Sequence, residues 1–78
     1  MLKRERLIKK VCGLPPEADA DDVVALLKEC GWLFDRQRGS HMIFIKQDEM
    51  PLSIPLVSGR RVKRIYLKKI CELLDLGD

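Results

Sequence analysis

Residues 31–46, GWLFDRQRGSHMIFIK, are where the hydrophobic pattern leaves a helical period. Trp32, Phe34, Arg36 and Arg38 alternate with Leu33, Asp35 and Gln37. Gly39-Ser40 offers a two-residue turn, and His41 to Lys46 is a run of strand formers. Alternation, turn and second run predict a β-hairpin. A third short strand is expected over Leu52 to Leu56, with Pro51 and Pro55 where a sheet edge tolerates them. Upstream, Asp19 suits a helix N-cap, and Asp21 and Asp22 sit in the first turn near the positive end of the dipole. Val23, Leu26, Leu27 and Cys30 repeat at the spacing of a buried stripe, and Gly31 is placed to stop the helix. Before it, Leu2 to Val11 reads as a short helix with Leu7, Ile8 and Val11 on one side, ended by Gly13-Leu14-Pro15-Pro16. After Val57-Ser58-Gly59, a last helix is expected near Val62 to Leu74, with Tyr66, Leu67, Ile70, Leu73 and Leu74 as its apolar face. The order α-α-β-β-β-α predicts an α+β fold: a three-stranded antiparallel sheet with helices packed on one face.

The chain has 78 residues, enough for one small domain with a thin stability margin. Its 46% hydrophobic and 35% charged residues exclude a disordered tail. No apolar run approaches a membrane span. Residues 1–10 are basic but lack the apolar stretch and cleavage site of a signal peptide. No membrane partner and a cytoplasmic location are therefore expected. The three cysteines, Cys12, Cys30 and Cys71, form no CxxC and are odd in number. That count predicts buried thiols and a reducing compartment over a disulfide framework. With one histidine and no ligand spacing, no metal site is expected. The Asp19, Asp21 and Asp22 cluster suits capping better than a cation. No GxGxxG or Walker pattern points to a nucleotide, so no cofactor is expected.

The net charge is +3, unevenly spread. Residues 1–10 carry five basic groups against Glu5, residues 15–29 carry five acidic groups against Lys28, and residues 60–69 carry six basic groups and no acidic one. Two basic blocks around an acidic one predict a local basic face. Arg60, Arg61, Lys63, Arg64, Lys68 and Lys69 are its densest part and suit phosphates, although solvated helix surface explains the same residues. A-form RNA is recognised largely through phosphates and 2′-OH groups, which suits such a surface. Trp32, Phe34, Phe44 and Tyr66 fall at core spacing, with base stacking as the other reading. His41 is the sole histidine. An imidazole titrates near neutrality and can take the proton of a ribose 2′-OH, while neighbouring cations hold the phosphate. A lone histidine at a strand start is otherwise a surface residue.

The run Gly31-Trp32-Leu33-Phe34-Asp35-Arg36-Gln37-Arg38-Gly39-Ser40-His41 resembles the HicA toxin family of small bacterial and archaeal proteins, marked by a G-[FW]…R-x-[RK]-G-S-H segment. The resemblance extends from about Asp21 to Leu74. Arg61-Val62-Lys63-Arg64-Ile65-Tyr66-Leu67 is similar to the V-K-x-x-Y entry of a longer branch with an extra N-terminal helix. The resemblance implies a fold like the double-stranded-RNA-binding domain, with residues 1–18 as a helical extension and 19–76 as the core of a single domain. It implies a metal-independent endoribonuclease that acts on mRNA, and a HicB-like antitoxin as partner. His41 matches the catalytic histidine, and Gly39 and Ser40 the turn that presents it. Arg36, Arg38 and Lys46 are candidate phosphate contacts on the hairpin. Arg60, Arg61, Lys63 and Arg64 correspond loosely to RNA-contacting positions. Many members read V-P-x-H in the third strand; here Ile54-Pro55-Leu56-Val57 supplies no second histidine. A non-catalytic double-stranded-RNA-binding module is the alternative.

Overall fold

The two apolar runs flanking Gly39-Ser40 close into a hairpin in the computed structural model, which describes residues 3–75. Its elements are α1 (Lys3–Cys12), β1 (Glu17–Asp19), α2 (Ala20–Glu29), β2 (Leu33–Arg38), β3 (His41–Ile45), β4 (Leu52–Pro55), β5 (Arg61–Lys63) and α3 (Arg64–Leu73). The expected helix position Leu2 and core end at residue 76 lie outside the described residues. The fold is α+β, with the antiparallel sheet β2-β3-β4 as expected and a second, two-stranded sheet, β1-β5, that the sequence pattern did not show.

Each helix is fixed by its stripe and its stop. In α1, Leu7 and Val11 are buried. Its end turns at Gly13, where a Cβ would lie 2.6 Å from the carbonyl oxygen of Lys9. In α2, Val23, Leu26 and Leu27 are buried. It ends as Gly31 enters the left-handed region at φ +94. The Trp32 N–H donates to Leu27 at 2.9 Å and the Gly31 N–H to Lys28 at 3.1 Å, the two bonds of a Schellman stop. In α3, Leu67, Ile70 and Cys71 face the core, whereas Leu73, expected there, is exposed.

The core joins these stripes to Met42, Phe44 and Ile54 from one face of the large sheet and to Ala18 and Val62 from the small one. Burying a side chain the size of Phe44 or Leu26 stabilises by roughly 1.5–3 kcal/mol. Among the expected aromatic core, Trp32 and Phe44 are buried, but Phe34 is 46% exposed and meets Phe44 edge-on, with ring centroids 5.7 Å apart.

Two expectations are corrected. The last helix does not begin near Val62. Residues 61–63 are extended because Ala18 pairs with Val62, Glu17 with Lys63 and Asp19 with Arg61. Burying Val62 against Ala18 takes precedence over continuing the helix, which starts only after the extended N-cap Lys63. The cysteines are not three thiols either. Cys12 and Cys71 form a disulfide with Cα atoms 5.8 Å apart, and Cys30 is free. The packing of α1 against α3 brings together residues 59 apart in sequence, a proximity that local spacing does not encode. A reducing compartment no longer follows from the cysteine count.

Candidate active site

Register decides which hairpin side chains share a face. Across β2 and β3, Leu33 pairs with Ile45 and Phe34 with Phe44; the pairing then shifts, so that Arg36 meets Ile43, Gln37 meets Met42 and Arg38 meets His41. Asp35 is the extra residue of a β-bulge, which breaks the alternation of side chains. Without it, strict alternation would put Phe34, Arg36 and Arg38 on one side. With it, Phe34 stays with Phe44 on the covered face, and both arginines join His41 on the open one. Across β3 and β4, His41 meets Pro55 and Ile43 meets Ser53. The open face therefore carries Arg36, Arg38, His41, Ile43 and Ser53 beside the exposed Leu33 and Ile45.

His41 is exposed at the head of β3. The turn before it is the expected Gly39-Ser40 pair. Gly39 has φ +58, and Ser40 is not among the residues with positive φ, the pattern of a two-residue type II′ hairpin loop. The turn is pinned by the Leu56 N–H, which donates to the Ser40 carbonyl at 2.6 Å. A shallow hollow beside it is lined by Arg38, His41, Ile43 and Ser53. Arg38 lies directly opposite His41, where Cβ atoms stand about 5 Å apart. Arg36 is two pairs further along, opposite Ile43, and binds the carboxylate of Asp35, which offsets part of its charge. An imidazole, a guanidinium and a hydroxyl around one hollow can exchange a proton and hold a phosphate. No carboxylate lines it.

The other expected contacts lie elsewhere. Lys46 is just beyond the far end of β3, about 16 Å of strand from His41. Its Nζ sits 3.3 Å from the Cys30 carbonyl and 5.9 Å from the centroid of the Trp32 ring, where it caps the negative end of α2. Arg60, at φ +57, reaches Gln37 Oε1 at 3.5 Å and Asp21 Oδ1 at 3.4 Å on the core-facing side of the hairpin tip. Arg61 donates to the Glu17 carbonyl at 3.4 Å and pairs with its carboxylate at 3.7 Å. Arg64 Nε donates to the Pro15 carbonyl at 3.3 Å. These three arginines fasten residues 60–64 to α2, to β2, to β1 and to Pro15 before it. Lys63 is exposed and without a partner among the described residues. It borders a hollow formed with Pro16, Glu17, Arg61, Arg64 and Ile65.

Sequence reasoning missed Ser53. Only the β3–β4 register puts it beside His41, and nothing local announces that register. Among the described residues, no group of three or more His, Cys, Asp or Glu could hold a metal ion, and no helix is long and apolar enough to cross a membrane. The family model described as HicA toxin of bacterial toxin-antitoxin matches residues 20–76, about three quarters of the chain. Neither a curated protein nor a solved structure matches the chain.

Proposed function

The chain belongs to the HicA toxin family, and from that premise we propose that it is the toxin of a toxin–antitoxin pair, acting as a metal-independent endoribonuclease on mRNA. The observation that carries this reading is the exposed His41 directly opposite Arg38 on the open sheet face. His41 takes the proton of a ribose 2′-OH as the 2′-oxygen attacks the adjacent phosphorus. The bond from phosphorus to the 5′-oxygen breaks, and that oxygen takes a proton from the imidazolium or from water. The products are a 2′,3′-cyclic phosphate and a free 5′-OH. Because the substrate brings its own nucleophile, no metal-bound water is required. Arg38, and Arg36 behind it, hold the phosphate and oppose the charge that develops on it.

Outside the hollow, Lys63 is the cation of the 60–64 run left for further phosphates, with Arg60, Arg61 and Arg64 as secondary contacts. Lys46 is reserved for α2. The partner in this reading is a HicB-like antitoxin that covers the exposed histidine, and the setting is the cytoplasm, where mRNA is found. In this reading the RNA-cleaving core expected over 19–76 is similar to a double-stranded-RNA-binding domain and α1 is the added helix; of the expected helical extension, Glu17 and Ala18 belong instead to β1, paired with β5.

Incubating wild type and His41→Ala with a defined mRNA in EDTA tests the reading. Fragments from wild type alone are expected. Intact RNA in both lanes overturns it in favour of a binding module, the reading favoured by Val57 standing where many relatives place a second histidine.

A further inference from the structure

The His41 hollow is three strands wide, and each strand contributes to it: Arg38 from β2, His41 and Ile43 from β3, and Ser53 from β4. On the β4 side, Pro55 faces His41 and, lacking an N–H, brings no hydrogen-bond donor, so the side-chain donor on that flank is Ser53, diagonal to His41. Its side chain is exposed on an edge strand, and its hydroxyl has no hydrogen-bond partner among the described residues. Arg36, the next cation on the face, stands on the same β2 flank as Arg38 and adds nothing on the β4 side. A phosphate seated over the head of β3 would therefore find Arg38 on one flank and only Ser53 on the other.

We propose that Ser53 is a second substrate-binding group of this site, donating its hydroxyl hydrogen to a non-bridging oxygen of the phosphate being cleaved. The inference rests on the ribonuclease reading above and adds a residue to it. Ser53 exchanges no proton with the substrate. It supplies from β4 what Arg38 supplies from β2, so the phosphate is gripped across His41 and the 2′-oxygen is lined up with phosphorus. A donor aimed at developing negative charge is stronger in the transition state than in the bound substrate. Its removal should therefore slow cleavage more than it weakens binding.

The test uses an RNA oligonucleotide spanning a cut mapped with the wild-type protein, under single-turnover conditions. Ser53→Ala is expected to slow cleavage by about tenfold or more, with thermal midpoint and RNA affinity little changed, and Ser53→Thr to restore most of the rate. Sulfur in place of the contacted non-bridging oxygen should slow the wild type in one stereoisomer, and Ser53→Ala should lose that preference. Cleavage by Ser53→Ala at the wild-type rate, with His41→Ala inactive, overturns the inference and leaves the ribonuclease reading standing. A Ser53→Thr rate as low as that of Ser53→Ala also overturns it. Intact RNA with the wild-type protein overturns both.

Discussion

Gly39 has open space around its Cα, and a Cβ built there meets no atom within 4 Å. Its φ of +58 makes it costly to replace. An L side chain in the left-handed region loses roughly 1–2 kcal/mol through contact with its own backbone. Gly39→Ala is therefore expected to lower stability by about that amount in urea titration, with no compensating contact. Cleavage should fall too, because the turn sets the direction of the next residue, His41. Arg60 shows the opposite case: a bulky residue held at φ +57 by its contacts to Gln37 and Asp21 and by its carbonyl, which accepts from the Ala20 N–H at 2.9 Å.

At the scale of elements, the basic run 60–64 divides by what each side chain already holds. Lys63→Ala should reduce the dependence of log affinity on log salt by about 0.7–0.9, as expected for one lost phosphate contact. Arg61→Ala should change that slope less and lower the thermal midpoint instead, by the modest amount an exposed ion pair contributes. Equal slopes for wild type and Lys63→Ala would remove Lys63 from the interface. Sequence period revealed the three helices, the hairpin and its turn because each depends on neighbours within a few residues: Leu7 with Val11, Val23 with Leu27, Gly39 with Ser40. The β1–β5 pair was illegible for the opposite reason. Its three-residue strands, 44 positions apart at Glu17 and Arg61, are too short to show a period. The Asp35 bulge was hidden similarly. The alternating letters gave Arg36, Arg38 and His41 as neighbours, but only the shifted pairing puts the arginines on the histidine's face and Phe34 on the other.

For the whole molecule, the helix outside the family match matters most. The matched segment begins at residue 20, yet α1 contributes Leu7 and Val11 to the common core and Cys12 to the disulfide. A chain of 78 residues has little stability to spare. Closing a loop across a separation of 59 residues removes denatured-state entropy worth on the order of 4 kcal/mol. Reduction, or Cys12→Ser with Cys71→Ser, is expected to shift the urea midpoint downward by most of that, and an unchanged midpoint would show the bond to be idle. The same bond turns the backbone from Cys12 to Cys71 into a covalent ring that contains the whole sheet and the His41 face. A protease that cuts the 46–51 connection, where Met50 is 82% exposed, opens that ring without shedding a fragment. The nicked chain stays one body until a reductant parts it. Parting the chain into two pieces within that ring therefore takes two chemically unlike acts, hydrolysis of a peptide and transfer of electrons to sulfur.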